Sequence, residues 1–281
     1  MITIFTPTYN RAHTLPRLFE SLKSQTSKTF EWLIVDDGST DHTERIVEQF
    51  VENSDFEIRY LKQENKGKHF AINKGLQFAK GDYFLNIDSD DYLVNNAVSE
   101  INILAAKPEN KKYSGFSFIH FADDISIEPA EFGQKTWEKP EVYFWKQKGE
   151  MMYCIKTEIY RKFPFPEFEG EKFCPESLVL SRVERRYQIL YTDKVLVRGA
   201  YLEDGLSAKF YKLLHENPHG SLLSFKEKIQ DEKNSERKLQ LAKNYYDVAW
   251  KSPKTTIKEK YFSLPASLTF SVILDRLSGK M

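Results

Sequence analysis

The sequence predicts an α/β fold: a mostly parallel sheet flanked by helices, followed by a helical C-terminal extension. Three observations carry that reading. Over the first hundred or so residues, short β-rich runs alternate with segments of helical periodicity, as expected when crossover helices join parallel strands. Three polar segments, 6–11, 36–41 and 88–91, follow apolar runs, and ligands of open α/β sheets collect at such strand ends. From about residue 221 the chain becomes rich in lysine and glutamate with helical spacing.

Residues 2–6 read as the first strand. From Leu15, apolar Leu18, Phe19 and Leu22 fall at i+3, i+4 and i+7 and give a helix with one core-facing stripe. Residues 32–35 are the second strand. Beyond the polar turn 36–41, Thr40 or Asp41 suits the cap of a helix buried through Ile46, Val47, Phe50 and Val51. Residues 58–61 form a third strand. A helix over 68–79, with Ile72, Leu76 and Ala79 in register, is expected to break at Gly81. Residues 83–87 are the fourth strand and end on an acidic cluster. After Lys107-Pro108-Glu109-Asn110 the alternation weakens, and the aromatic stretch 113–121 reads as a further strand. No internal repeat or low-complexity segment interrupts the chain.

A chain of 281 residues suits one large domain, or one domain with an extension. The 41 lysines and arginines balance 41 aspartates and glutamates, so no overall field favours nucleic acid or an anionic membrane. Cys154 and Cys174 lie far apart without a CxxC pair, which argues against a disulfide framework and a cysteine zinc site. The N-terminus lacks a secretory pattern, and no apolar run approaches the roughly 20 residues of a spanning helix. A cytoplasmic location is expected. The apolar stretch 264–274, behind Lys258 and Lys260, offers a peripheral contact with the inner face of a membrane, with packing on the rest of the protein as the simpler reading.

Asp88-Ser89-Asp90 sets two carboxylates on one tight turn, with Asp91 adjacent. Their repulsion is relieved by a divalent cation, and oxygen-only ligands suit Mg2+ or Mn2+ rather than zinc. A solvated acidic turn accounts for the same residues. A calcium-binding EF-hand loop starting at Asp88 fails, because its sixth position is Leu93 and its twelfth is Ser99. Asp36-Asp37-Gly38-Ser39 sits at another strand end, where a carboxylate can accept from a base N–H and glycine permits close approach. Thr6-Pro7-Thr8-Tyr9-Asn10-Arg11 supplies hydroxyls, an aromatic face and a guanidinium. Gly67 and Lys68 open a helix start, where anions are favoured. Neither GxGxxG nor GxxxxGK[ST] occurs.

Pro7-Thr8-Tyr9-Asn10-Arg11, Val35-Asp36-Asp37-Gly38-Ser39-Thr40-Asp41, the segment 67–75 and Asp88-Ser89-Asp90-Asp91 together resemble the family 2 glycosyltransferases, in order and in spacing. The resemblance is strong over residues 1–94 and weak beyond. It implies a GT-A fold, a UDP-sugar donor, Mg2+ or Mn2+, and inversion at the anomeric carbon by single displacement. By position, Thr6 and Asp37 would contact uracil, and Tyr9 and Arg11 would line the nucleotide site. Asp36, Gly67 and Lys68 join that donor site, Asp88 would face ribose or metal, and Asp90 would be the direct metal ligand. Residues 1–94 would then form the nucleotide-sugar-binding half and 95–220 the acceptor-facing half of a catalytic domain, with 221–281 as the extension.

The acceptor would be a glycan or lipid-linked glycan of a bacterial surface polysaccharide. Its base is sought in the second half, at Glu176 or among the acidic residues of 167–171. Pro175 suits a first helical position and favours Glu176, although Ser177 stands where the family carries an aspartate. Trp137, Phe144 and Trp145 could stack on acceptor sugars, and 201–207 could close as a loop ahead of His215 and His219. A nucleotidyltransferase would need a glycine-rich loop where 7–11 stands, and a phosphatase a threonine or valine where Tyr92 stands. A nucleotide-sugar-binding or glycan-binding protein without turnover is the non-enzyme alternative.

Overall fold

The computed structural model describes residues 1–123, 134–136, 150–199 and 209–279. Two compact units divide the chain: 1–164 with 181–202, and 165–180 with 203–281. The division expected at residue 220 falls inside helix Pro218–Asp231 of the second unit.

Among the described residues, the first unit holds a nine-stranded sheet. Its strands are β1 (Ile2–Thr8), β2 (Phe30–Asp36), β3 (Glu57–Lys62), β4 (Tyr83–Asn86), β5 (Asp91–Leu93), β6 (Gly115–Ala122), β7 (Gln134–Thr136), β8 (Glu150–Lys156) and β9 (Ile189–Gly199). They run in the order β3-β2-β1-β4-β8-β6-β9-β5, with β7 on β9. The first four strands are mutually parallel, Ile2 pairing with both Phe30 and Tyr83 and Glu31 with Glu57. Strands buried on both faces read as continuous apolar runs, and every residue of β1 and β2 is buried. At β4–β8 the sheet turns antiparallel. The α/β class, the parallel first half and the flanking helices agree with the sequence reading.

Helices α1 (Leu15–Lys23), α2 (Thr43–Glu52) and α3 (Lys68–Phe78) make the crossovers. Leu15, Leu18, Phe19 and Leu22 of α1 are buried as their spacing requires. In α2 the buried stripe is Thr43, Val47 and Phe50, an i, i+4, i+7 series that leaves Val51 49% exposed, contrary to expectation. The helix also starts later than expected, with His42 at the cap position, while Asp41 accepts from the Thr43 N–H (3.0 Å) and hydroxyl (2.6 Å). Gly81 does not terminate α3, which ends at Phe78; a Cβ there would lie 2.3 Å from the Thr3 nitrogen, so close approach to β1 fixes the glycine.

A cluster of charge locks the far end of this sheet. Buried Glu31 accepts from Thr3 Oγ1 (2.6 Å), the Lys80 N–H (2.6 Å) and Arg59 Nη1 (3.0 Å). Burial opposes the charged carboxylate, but these bonds outweigh it and hold Glu31 below the usual glutamate range.

The second unit is helical: α7 (Phe210–Glu216), α8 (Pro218–Asp231), α9 (Ser235–Lys251), α10 (Ile257–Tyr261) and α11 (Ala266–Leu277) follow α4 (Ala97–Ala106), α5 (Thr157–Tyr160) and α6 (Glu176–Glu184) in chain order. Leu222, Ala242, Tyr245, Tyr246 and Val272 are central to its core. Pro218 opens α8 three residues before the expected start, as its fixed φ and missing N–H permit. Among the described residues, no helix is long and apolar enough to cross a membrane.

Candidate active site

The carboxyl ends of β1, β2 and β4 lie side by side, since β1 pairs with both neighbours. The polar segments that follow these strands therefore converge. Asn10 ties two of them together. Its side-chain oxygen accepts from the Thr40 N–H (2.8 Å) and Asp41 N–H (3.3 Å), and its own N–H donates to Ser39 Oγ (2.8 Å). It does so with φ at +53°, a conformation that asparagine tolerates better than most side chains.

Asp36 is fully buried, its carboxylate accepting from the Ser39 N–H at 2.7 Å and from the Tyr60 hydroxyl. Burial and the adjacent Asp36 push the Tyr60 phenol up, so it remains a donor. Asp37 is also buried and accepts from Gln63 Nε2 (2.8 Å), Lys66 N–H (2.9 Å) and Gly67 N–H (2.7 Å). Those bonds anchor the loop that feeds α3. Gly38, at φ +83°, lies against that loop: a Cβ would stand 2.9 Å from the Asn65 nitrogen. Thr6 is fully buried, and its hydroxyl accepts from Trp32 Nε1 at 3.0 Å. Tyr9, by contrast, is 47% exposed.

The acidic turn follows β4. Lys68, first residue of α3, brings its Nζ to 2.7 Å from Asp88 Oδ1 and 2.8 Å from Oδ2. Burial pushes the Asp90 carboxyl up, the neighbouring Asp88 charge pushes it further, and Arg11 and Lys68 oppose them. Asp91 belongs to β5 and is engaged elsewhere, its Oδ1 lying 2.9 Å from His120 Nε2 with both side chains largely buried. Burial raises the Asp91 carboxyl to about 6 against the pull of His120. Burial disfavours the charged imidazole as well, but the Asp91 bond and charge prevail and raise His120.

Two of these supports escape sequence reasoning. Arg17 donates to the Asp90 carbonyl, lies 3.5 Å from Asp123 Oδ2 and stacks 4.9 Å over the Tyr92 ring. It is one polar residue among several on the solvent side of α1, and nothing in its spacing marks it. His120 sits inside an aromatic strand, and Asp91 meets it only through strands remote in sequence, β6 and β5 each pairing with β9.

Thr6, Tyr9, Arg11, Asp36, Asp37, Gly67, Lys68, Asp88 and Asp90 all belong to the first unit, whereas Glu176 opens α6 within the part of the chain assigned to the second. In the competing acidic segment, Glu171 is buried and caps α8, accepting from the His219 N–H (2.8 Å), the Gly220 N–H (3.1 Å) and His219 Nδ1 (2.6 Å). His215 is held by the Tyr211 carbonyl (2.7 Å) and Asp247 (2.9 Å). Trp137, Phe144, Trp145 and 201–207 lie outside the described residues.

No three His, Cys, Asp or Glu side chains converge on one point among the described residues. One or two carboxylates sharing an ion with phosphate oxygens is another way such ions are held, and Asp88 and Asp90 are the two side chains of this turn that could supply them.

A parallel sheet that becomes mixed beyond β4, with an Asp-Ser-Asp turn at the carboxyl end of that strand, is the arrangement of a GT-A scaffold. The chain belongs to glycosyl transferase family 2, whose model matches residues 3–168. Glycosyltransferase GlyA of Streptococcus pneumoniae is 38% identical over 100 residues, covering 36% of this chain and 14% of that protein. Chondroitin synthase of Escherichia coli is 38% identical over 98 residues, 35% of this chain and 14% of that one. An uncharacterised glycosyltransferase of Rickettsia prowazekii is 37% identical over 162 residues, 56% of this chain and 41% of that one. The matched part is thus less than half of each of these relatives.

Among solved structures, S. aureus TarS 1–349 in complex with UDP-GlcNAc superposes with a TM-score of 0.64 at 18% identity, covering 99% of this chain and 92% of that one. The mannosyltransferase PcManGT of Pyrobaculum calidifontis, in complex with GDP-Man and Mn2+, gives 0.60 at 17% identity, covering 100% and 88%. These likenesses concern the fold.

Proposed function

We propose that this protein transfers a sugar from a UDP-sugar to a hydroxyl of a glycan or lipid-linked glycan, with inversion, in the assembly of a bacterial polysaccharide. The observation that carries the reading is the Asp88–Asp90 turn at the end of β4, with Lys68 on Asp88 and the charge of Arg11 felt at Asp90. Donor binding is assigned to residues 1–94 and the acceptor to 95–220, with 221–281 as an extension. The UDP-GlcNAc bound by TarS supports a uridine nucleotide as donor.

Within the donor site, exposed Tyr9 offers a face for the base and Arg11 and Lys68 offer charge for the diphosphate. Thr6 and Asp37, expected to contact uracil, are engaged in the protein, the Thr6 hydroxyl by the Trp32 indole; Asp36 and Asp37 would act from behind the surface, holding through the Ser39, Lys66 and Gly67 N–H groups the backbone that the uridine would meet. Asp90 and, beside it, Asp88 would hold Mg2+ or Mn2+. A bound ion of this kind neutralises the charge that develops on the leaving diphosphate. Glu176 is the proposed base, taking the proton from the acceptor hydroxyl as that oxygen attacks the anomeric carbon. The proposed location is cytoplasmic, at the inner membrane face where lipid-linked acceptors are built upon.

Release of UDP from a panel of UDP-sugars, with and without Mg2+ or Mn2+, tests the proposal. Metal-dependent release from one donor, lost in Asp90→Ala, is expected; metal-independent release that survives the substitution would sink it. Glu176→Gln should retain UDP binding and lose transfer, since an amide does not take up the proton, whereas full transfer by that variant would move the base elsewhere.

A further inference from the structure

The second compact unit leaves an apolar strip uncovered. In α11, Thr269 and Val272 are buried, Thr269 Oγ1 lies 2.6 Å from the Tyr246 hydroxyl, and Asp275 pairs with Lys243 at 2.7 Å. Those contacts fix the inward face. On the other side, Phe270, Leu274 and Leu277 fall at i, i+4 and i+7 and are 62%, 48% and 80% exposed. Ser267 and Ser271 fill the positions between them, so this outward face carries no charge. A surface helix ordinarily turns charged residues to water, and an apolar stripe at helical spacing marks a face that meets a partner.

A second exposed apolar group stands close by. Ile257 and Phe262 are each 73% exposed and bracket Lys258 and Lys260. Trp250 joins the two groups: its Nε1 donates to the Lys260 carbonyl at 3.0 Å, and the Arg276 guanidinium stacks 4.5 Å over its ring. The nearby acidic residues are engaged, Glu259 in a capping box with Thr256 and Asp275 with Lys243. Neither Lys258 nor Lys260 forms an ion pair among the described residues. The strip is therefore apolar with a positive margin.

We infer that this strip docks on an anionic lipid bilayer. Exposed Phe, Leu and Ile insert at the level of the headgroups while flanking lysines meet lipid phosphates. A second copy of the chain fits less well, because a two-fold contact through this strip would set its lysine margin against itself. The inference needs neither donor nor acceptor, so it stands or falls separately from the transferase reading.

Sedimentation of the full chain with phosphatidylcholine vesicles, with and without phosphatidylglycerol, is the test. Wild-type protein is expected to sediment with the anionic vesicles and to be released by salt, since a Debye length shortens with ionic strength. Lys258→Gln and Lys260→Gln should each lower the partition coefficient about fivefold. Phe270→Ser with Leu277→Ser should remove binding while leaving the unfolding temperature nearly unchanged, because these two side chains are mostly in water. Absence of binding to anionic vesicles, or binding that none of these variants weakens, overturns the inference. So does a concentration-dependent dimer in sedimentation equilibrium that Leu274→Ser abolishes, which would give the strip to a second copy.

Discussion

Lys68 Nζ lies within 2.8 Å of both carboxylate oxygens of Asp88. The first residue of α3 thereby supplies a counter-charge to a turn that holds three aspartates within four residues. On the proposed donor reading, the same ammonium would pair with a nucleotide diphosphate at a helix start that favours anions. Lys68→Ala should therefore weaken UDP binding by about tenfold, the order expected for losing one charge-assisted contact. Calorimetric titration with UDP measures it, and an unchanged Kd would remove Lys68 from the donor site.

Asp90 poses the opposite case. Burial and the charge of Asp88 raise its carboxyl above the ordinary aspartate value of 3.8. A carboxyl raised in the folded state favours folding below its ordinary pKa and loses that contribution as pH rises through the raised value. At neutral pH the ionised Asp90 is thus a liability to the fold. Asp90→Asn should unfold at a higher temperature than wild type at pH 7, with the advantage fading below about pH 4. UDP release should fall by about a hundredfold or more in the same variant. Gain of stability with loss of turnover is the pattern of a residue kept for function; a variant less stable than wild type at pH 7 would contradict it.

Glu31 behaves as a structural counterpart. Its carboxylate is held below the ordinary value of 4.5 by Thr3, Lys80 and Arg59 despite burial. A lowered carboxyl contributes stability that is complete above its ordinary pKa and is lost as pH falls through the lowered one. Glu31→Gln should cost on the order of 3 kcal/mol at pH 7, because Arg59 loses its partner in a buried setting. Urea unfolding at pH 7 and again near pH 3 should show that difference shrinking; a cost equal at both values would mean that charge plays no part.

The parallel half of the sheet was legible because local chemistry and global fold agree there. Leu15, Leu18, Phe19 and Leu22 can only be buried together as a helix stripe, and continuous apolar runs such as Ile34-Val35 before a polar turn mark central strands. The motif residues also followed from the sequence, but their partners did not. Asp37 reads as a ligand-facing carboxylate, yet in the fold both of its oxygens are taken by the loop before α3. Asp91 reads as a third member of an acidic cluster, yet it heads a three-residue strand and turns to His120. The Asp91–His120 pairing depends on strands β6 and β9, which join segments about 75 residues apart, and no local pattern encodes it.

Gly199 provides the sharpest check on that buried pair. It lies opposite Asp91 in the β5–β9 ladder, and a Cβ on it would stand 1.9 Å from Asp91 Oδ1 and 3.0 Å from His120 Nε2. The Asp91 carboxylate occupies the space a side chain would need, so the absence of one at 199 is what lets the pair close over the strand. Gly199→Ala must push Asp91 aside or spread the ladder, and overpacking of this kind costs about 1–3 kcal/mol. Because Asp91 follows Asp90 directly, the displacement should reach the turn as well and lower the rate of UDP release. Restoring room from the other side, with Asp91→Ala in the Gly199→Ala background, should recover part of the lost stability, since the clash goes with the carboxylate. A double variant whose loss equals or exceeds the sum of the two single losses would show instead that Gly199 is not fixed by room for the Asp91 carboxylate.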